Sequence, residues 1–530
     1  MAHIRLVTGE EMARIDERAI SEGIPGLQLM EEAGKGVSRV VEGLLGGYRG
    51  QKVVIVCGKG NNGGDGFVVG RLAALSGAQV RVFLLANCKD VKGDARSALN
   101  RVREGDVETE IVDASSGMKA VRRAVSEADV TVDALLGTGI QGGPRGEFQA
   151  AIDTINGITC PVVSVDVPSG LDADTGAVTG SCIRATRTVT FGNPKRGHLF
   201  YPGRSAVGQL HLVDIGLPSS AIETESSRTF WIAASGGLDL LPLRSPTAHK
   251  GDCGRVFVLS GSVGMTGAAA LTATSALRGG AGLVTVGIPE SLNDTVEAKV
   301  TEAMTLPLPE VRKARCLALR ARGDVRRVME GADCVALGPG LGQHHETAEL
   351  VRRLLEDIQV PSVLDADALN ALSGEPERLR ALHAPSVVTP HPGEFCRLTG
   401  KDAATVAGDP IGSARELAEI AGVTVVLKGS PTVVATADGE AYLNPSGNAG
   451  MATGGSGDVL TGLIAALIGQ GLQVPEAACL GVYMHGLAAD LVSEEKGEAG
   501  MIAGDLVSAI PEAEQAIHSG RDCQRYLQIH

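Results

Sequence analysis

Short runs of β-branched and aliphatic residues, each closing on glycine, aspartate or proline, recur along this chain in two successive sets. The first set is Val53–Cys57, Val80–Leu85, Val130–Leu135 and Val162–Val165. Runs this compact suit strands buried on both faces of a parallel sheet, and helical patterns separate them. They predict a doubly wound α/β domain. Thr8-Gly-Glu-Glu11 has capping-box spacing, and Met12, Ile15 and Ala19 follow at helical intervals, so the chain opens with a helix. The second set is Arg255–Leu259, Leu283–Val286, Cys334–Leu337, Ser362–Leu364, Val387–Thr389 and Thr424–Leu427. Two more runs, Thr432–Ala435 and Glu440–Leu443, flank Asp438-Gly439 and predict an antiparallel hairpin at the edge of a mostly parallel sheet. Helical patterns at Asp458–Ile468, Pro475–Val492 and Leu506–Ile517 fill the last third. A chain of 530 residues needs more than one core. The polar, aperiodic stretch Ser219–Ser245 is the expected junction, dividing the chain into domains 1–222 and 223–530.

Composition narrows the class of partner. The chain has 71 glycines, nearly twice the ~7% share of an ordinary protein, and they follow no collagen-like period. Such an excess fits turns that bring backbone close to a ligand. A formal net charge of −14 excludes a general nucleic-acid or membrane-surface binder, so any phosphate must sit in a local backbone cradle. The ten cysteines form no C-x-x-C pair, which suits free thiols in a reducing compartment. The first residues lack a signal layout, and no apolar run approaches ~18 residues, so a cytoplasmic location is expected.

Val53-Val-Ile-Val-Cys-Gly-Lys-Gly-Asn-Asn-Gly-Gly-Asp-Gly66 is a buried-type strand running into a glycine-rich turn and a helix. Free amides at such a helix start attract anions. Alone, this segment fits a purely structural turn equally well. Two more strand ends tip the balance: Asp133 leads into Gly137-Thr-Gly-Ile-Gln-Gly-Gly143, and Asp166 leads into Val-Pro-Ser-Gly-Leu-Asp172. Ligands in open α/β sheets bind at the carboxyl ends of strands, so three polar turns there imply one crevice.

These motifs, with Gly23–Gly34 and Phe191–Gly197, resemble the NAD(P)H-hydrate epimerase family over residues 8–218, and imply a Rossmann-like fold. The resemblance implies that Asn61, Asn62, Gly63, Gly64 and Asp65 hold the hydrated cofactor together with Gly137, Thr138, Gly139, Ile140, Gln141, Gly142 and Gly143. It further implies that Asn62, Asp133 and Ser169 ligate a potassium ion, a role suited to hard oxygen donors. Asp166 would contact the nicotinamide part. Epimerisation at a carbon bearing a hydroxyl and a ring nitrogen needs a group that moves a proton, and Asp166 is the candidate. A role in positioning substrate alone is the alternative for this residue.

In the second half, Asn448-Ala-Gly-Met-Ala-Thr-Gly-Gly-Ser-Gly-Asp458 opens directly into an apolar helix. The amides of Gly455, Ser456 and Gly457 would form an anion hole, with Asp458 beside it as a base. An acidic residue in a first helical turn also has a structural use, but that leaves the glycines unexplained. The segment resembles the G-x-G-D region of ribokinase-like kinases. His249–Val256, Gly261–Ala270, Gly338–Gly342, Asp365–Asn370, Thr389–Glu394 and Leu427–Ser430 narrow the resemblance to ADP- or ATP-dependent NAD(P)H-hydrate dehydratases, over residues 240–518. That family implies a ribokinase-like α/β sandwich. It implies Lys428, Gly429, Ser430, Pro431, Thr432 and Gly457 around ADP or ATP with Mg2+, and Ala268, Gly340, His391 and Asp458 around the hydrate. His391 and Glu394 are not expected to share a helix face or a metal. NADHX or NADPHX and an adenine nucleotide are the expected partners, in a homo-oligomer. The alternative is a ribokinase-like small-molecule kinase with a non-catalytic nucleotide-binding first half.

Overall fold

The computed structural model describes residues 3–105, 107–112, 117–139, 142–225, 227–522 and 525–530, with backbone alone at 234–235. Its contacts divide the chain into two compact units. One comprises Ile4–Ser227 with Cys523–His530, the other Met1–His3 with Arg228–Asp522.

The first unit opens with helices α1 (Gly9–Ser21) and α2 (Gly26–Leu45). Both bonds of the expected capping box are present. The Glu11 amide donates to Thr8 Oγ1 (3.1 Å), and the Thr8 amide donates to Glu11 Oε2 (2.7 Å). There follow β1 (Lys52–Cys57), α3 (Asn61–Leu75), β2 (Gln79–Leu84), α4 (Gly93–Glu104) and β3 (Glu108–Ile111). The chain then crosses back through α5 (Gly117–Glu127) to β4 (Val130–Ala134), α6 (Glu147–Asn156), β5 (Val162–Val165), β6 (Arg187–Phe191) and β7 (Gln209–Val213). The eight-stranded sheet is ordered Leu527–Ile529, β7, β6, β5, β4, β1, β2, β3, and every pairing is parallel. Both of its faces are covered. Val53, Ile55 and Cys57 join a core with Val37 of α2, Val68 of α3 and Leu99 of α4, while Val54 and Val56 join another with Val121 of α5 and Ile152 of α6. The strand order reverses between β1 and β4, which opens a crevice at their carboxyl ends.

The second unit winds the same way. Its strands are β8 (Thr229–Trp231), β9 (Arg255–Leu259), β10 (Leu283–Pro289), β11 (Met304–Leu308), β12 (Cys334–Leu337), β13 (Ser362–Leu364), β14 (Ser386–Val388), β15 (Thr424–Leu427), β16 (Val433–Ala435) and β17 (Ala441–Leu443). Within this unit the order is β8, β17, β16, β15, β14, β13, β12, β9, β10, β11, with the reversal between β9 and β12. Helices α7 (Thr266–Arg278), α8 (Pro392–Thr399), α9 (Ser456–Gly469), α10 (Val474–Lys496) and α11 (Ala503–Ser519) carry its site or pack behind it. This is the mostly parallel α/β sheet expected from the strand rhythm, layered as the family resemblance implies.

Two placements differ from the sequence reading. The β16–β17 hairpin is antiparallel, but it is not the edge of this unit's strands, because β8 pairs with β17 in parallel. Strand β8 falls inside the stretch read as an aperiodic junction; three residues are too few to show a period. The chain also changes unit at 227/228 rather than 222/223, and residues 527–529 return to the first sheet beside β7. There they pair the backbone of a strand that would otherwise be exposed.

Glycine lets two core helices touch. A Cβ on Gly462 of α9 would lie 2.1 Å from the carbonyl oxygen of Thr272 in α7, whereas a Cβ on Gly43 of α2 would meet nothing within 4 Å. Gly462→Val is therefore expected to cost at least ~2 kcal/mol through overpacking. Gly43→Ala should gain roughly 0.5–1 kcal/mol through helix propensity. Urea unfolding of the two variants beside the parent checks both signs.

Candidate functional site

In the first unit, backbone meets backbone where β1 and β4 end. A Cβ on Gly58 would lie 2.0 Å from the Leu135 carbonyl oxygen, and one on Gly63 would lie 2.0 Å from that of Gly58. This packing seats Asn62 against the β4 turn, where its Nδ2 donates to the Leu136 carbonyl (3.1 Å). Asp133, fully buried, accepts from the Ser169 amide (2.9 Å), the Ser169 hydroxyl (2.6 Å) and the Ser164 hydroxyl (2.8 Å). Ser169 Oγ also lies 3.2 Å from the Leu136 carbonyl. Of the three residues expected to share a cation, Asn62 and Ser169 thus reach the Leu136 carbonyl, and Asp133 is bonded to Ser169. Burial pushes the Asp133 carboxyl upward, and the bonds from Ser169, Ser164 and the Leu135 amide pull against that shift.

Beside this cluster lies a cavity of about 140 Å³ whose lining includes Asn61, Asp65 and Asp166. Met12, Asp16 and Ile20 of α1 and Lys195 line the same cavity. Asp166 has a left-handed backbone (φ 63°), rare for a non-glycine residue. Its Oδ1 accepts from Lys195 Nζ (2.5 Å) and Thr190 Oγ1 (2.8 Å). Lys195 is 1% exposed, and its ammonium also donates to Thr190 Oγ1 (3.0 Å). Buried His198 braces the turn: Nδ1 accepts the Lys195 amide (3.2 Å), which leaves Nε2 to donate to the Asp166 carbonyl (3.0 Å). Burial, helped by Lys195, lowers His198 to about 4 and keeps the ring neutral. Asp65 is pushed well above the usual carboxylate range, first by burial and then by Asp166 and Asp16.

Gly137 packs against the Asn62 side chain, Thr138 lies beside Gly9, and Gly143 abuts the Thr179 carbonyl. None of these three lines the cavity, and Gly139 and Gly142 face open space. Ile140 and Gln141 lie outside the described residues.

In the second unit, Ser260 and Ser262 after β9 donate to the carbonyls of Pro339 and Gly340 after β12. A Cβ on Gly338 would lie 1.8 Å from the Asp365 carbonyl oxygen, and one on Gly340 would lie 3.0 Å from Ala268 Cβ. Ala268 and Gly340 therefore form one wall. Asp365, almost wholly buried after β13, accepts from Lys428 Nζ (2.9 Å) and Thr461 Oγ1 (2.8 Å). Lys428 also lies 3.8 Å from Glu394 Oε2. Burial opposes its charge, but Asp365 and Glu394 outweigh that and raise it. Asp458, in the first turn of α9, is lifted to about 7 by burial and by Asp365, with Lys428 pulling the other way. Gly457 sits beside this group: its Cβ would lie 3.2 Å from Lys428 Nζ. Thr432 Oγ1 donates to the Gly429 carbonyl (3.1 Å), closing the turn that contains Ser430 and Pro431.

His391 and Glu394 are closer than their flanking prolines suggest. His391 caps α8, its Nδ1 accepting the Gly393 and Glu394 amides (3.0 and 3.3 Å), and the Glu394 carboxylate accepts the His391 amide (2.9 Å). His391 Nε2 stands 3.3 Å from Glu394 Oε1, so the helix start does bring the two together. A proline at the first helical position is compatible with a cap. Their geometry is a capping box, and among the described residues no group of three or more His, Cys, Asp or Glu could hold a metal.

Two family models match the chain: one described as YjeF-related protein N-terminus over residues 26–197, and one described as NAD(P)H-hydrate dehydratase over 256–512. A bifunctional NAD(P)H-hydrate repair enzyme from Moorella thermoacetica is 44% identical over 511 residues, which span 96% of each chain. The chain belongs to the bifunctional NAD(P)H-hydrate repair enzyme family. An Escherichia coli member is 38% identical over 489 residues, 92% of this chain and 89% of that one. A solved ADP/ATP-dependent NAD(P)H-hydrate dehydratase from Bacillus subtilis aligns at 29% identity and a TM-score of 0.48, over 54% of this chain and 98% of that one.

Within this family frame, three side chains go beyond the residues singled out from sequence: Lys195, Asp365 and His485. Lys195 stands in a Gly-Asn-Pro-Lys turn after a buried strand, and Asp365 directly follows one; both positions were legible. His485 was not. It lies inside the long apolar helix α10, its Nε2 3.4 Å from Ser456 Oγ, and burial lowers it to about 4.

Lys195→Met would leave the Asp166 carboxylate without its cation. Removing one partner of a buried pair typically costs about 3–5 kcal/mol. Urea unfolding of the variant beside the parent at pH 7.5 is expected to show a loss of that size, and a loss below about 1 kcal/mol would mean that the pair does not hold the turn.

Proposed function

We propose that this chain repairs hydrated nicotinamide cofactors, the first unit interconverting R- and S-NAD(P)HX and the second dehydrating the S form at the expense of ADP or ATP. The observation that carries this reading is that each unit gathers carboxyl groups around a single lysine at the carboxyl ends of its parallel strands. The family relationship spans both units. A kinase with a passive first half would leave Asp65, Asp166 and Lys195 without a use.

In the first unit, Asn61 and Asp65 would contact the hydrate, with Asn62, Gly63 and Gly64 shaping the turn and Gly137–Gly143 bordering the cofactor's more distant parts. Asp166 would take a proton from the hydroxyl. Asn62, Asp133 and Ser169 carry amide, carboxylate and hydroxyl oxygens, donor types that suit K+, although Asn62 here turns its amide nitrogen to the Leu136 carbonyl and would have to turn its oxygen inward to serve as a ligand. When bound, the ion would supply positive charge that ties the β1, β4 and β5 turns together.

In the second unit, Asp458 would remove the proton from the hydrate's hydroxyl as that oxygen attacks the terminal phosphoryl group. The new oxygen–phosphorus bond forms while the bond to the departing nucleotide breaks. Amides at the start of α9, including that of Gly457, face the charge on the phosphoryl oxygens. The phosphate then leaves with its electron pair, and loss of a proton from the neighbouring carbon restores the dihydronicotinamide. Ala268, Gly340 and His391 would border the hydrate, and Lys428–Thr432 the nucleotide. Mg2+ would be held chiefly by the nucleotide's own phosphates, in keeping with the lack of a protein cage among the described residues. Among those residues, too, no helix is long and apolar enough to cross a membrane. We place this chemistry in the cytoplasm, in a homo-oligomer.

Asp458→Asn is expected to lower nucleotide-dependent recovery of dihydronicotinamide absorbance at least ~10²-fold while R and S still interconvert. Near-normal dehydration would remove Asp458 from the mechanism. The parent also carries a pH signature. The base form is the carboxylate, so dehydratase kcat/KM should fall as pH drops through about 7, where Asp458 titrates. A carboxyl at its ordinary value would leave the rate flat down to about pH 5.

A further inference from the structure

The cavity of the first unit holds more carboxyl groups than its chemistry as described so far uses. Asp16, Asp65, Asp94 and Asp166 all line it, and among the described lining residues Lys195 is the one cation. One lysine cannot balance the charge of four carboxylates in so small a space. Three of the four are already placed. Asp166 is ion-paired with Lys195. Asp65 is 8% exposed at the base of the cavity, and Asp94 packs against Gly26 at its rim.

Asp16 is different. It sits between Met12 and Ile20 at four-residue spacing, in the middle of an apolar stripe that α1 turns toward the cavity. Among the described residues no hydrogen bond or ion pair engages its carboxyl, and its electrostatic neighbours are Lys195 and Asp166. A carboxyl set in an apolar stripe, facing a cleft and tied to nothing, has no evident structural task.

We propose that Asp16 is a second proton-transfer residue of this site, acting with Asp166 on the carbon that bears the hydroxyl. The inference rests on the epimerase reading above. That carbon carries both a hydroxyl and the ring nitrogen, so its configuration can invert by opening and closing the ring. Asp166 takes the hydroxyl proton, the oxygen's electron pair forms the carbonyl bond, and the carbon–nitrogen bond breaks with its pair moving to nitrogen. The nitrogen takes a proton from Asp16. The open-chain aldehyde turns about its neighbouring carbon–carbon bond, and the nitrogen adds back to the other face while both proton transfers reverse. No atom or electron is left over, and two groups are needed because one proton leaves oxygen as another reaches nitrogen. Burial first, then Asp166, lifts the Asp16 carboxyl to about 6, so it can both give and take a proton near neutrality.

The test is Asp16→Asn in the whole chain, with R and S hydrates separated by chromatography. Asparagine keeps the shape and removes a carboxyl whose charge the fold disfavours, so the variant should be at least as resistant to unfolding as the parent at pH 7.5. Epimerisation kcat should fall at least ~10²-fold, with KM changed by less than about threefold. Asp16→Ala should be similarly slow, and added formate should restore part of its rate by supplying the missing carboxyl. A parent that interconverts the epimers beside an Asp16→Asn variant within about twofold of it overturns this proposal and leaves the epimerase reading standing. A parent that does not interconvert them overturns the epimerase reading itself. Loss of rate in Asp16→Ala without any formate rescue assigns Asp16 to structure and likewise overturns the proposal.

Discussion

At the end of β1, a Cβ on Gly58 would lie 2.0 Å from the carbonyl oxygen of Leu135; at the end of β12, one on Gly338 would lie 1.8 Å from that of Asp365. Both are backbone-on-backbone contacts, the first between β1 and β4, where strand order reverses, the second between β12 and β13, one strand away from the reversal, and neither tolerates a side chain. They set the width of each crevice. Strand-end residues of the two adjoining strands are thereby brought within reach of the same ligand, while the buried parallel sheets behind them stay closed to water. The low-dielectric setting follows from this packing, and so do the raised carboxyl groups.

The two sites use one ingredient in different ways. Each places a lysine, buried in the first and half-buried in the second, among several carboxyl groups. In the first, Lys195 bonds directly to the candidate proton-transfer residue, Asp166. In the second, Lys428 bonds to Asp365, and the candidate base Asp458 is left to burial and to the charge of Asp365. The first arrangement fixes the Asp166 carboxyl in place through its bond to Lys195; the second leaves Asp458 to titrate near neutrality, which suits a base matched to working pH.

Much of this was legible in the sequence because it depends on local order. Long buried strands, the Thr8 capping box and the glycine turns after Cys57, Asp133 and Gly454 all lie within a few residues of their own signal. The grouping of Asn62, Asp133 and Ser169 is implied by family resemblance; in the structure Asn62 and Ser169 bond the Leu136 carbonyl and Asp133 bonds Ser169. What escaped is short or distant. Strands β8 and Leu527–Ile529 have three residues each, below any period, and their pairing partners lie hundreds of positions away. Lys195 and Asp365 stood in plain view but carry no role until a fold sets them beside Asp166 and Lys428. The flanking prolines hide the His391–Glu394 pair in the sequence, because proline breaks a helix interior but is an ordinary occupant of a first helical turn.

The central claim is that two sites in one chain return both epimers of the hydrate to use. The most direct measurement follows the R and S hydrates and the dihydronicotinamide product together over time, with the whole protein, first without and then with adenine nucleotide. The account predicts that without nucleotide the epimers equilibrate and no product forms. On adding nucleotide, both should be consumed to completion. If one epimer is consumed while the other persists, or if product forms without nucleotide, the account is contradicted.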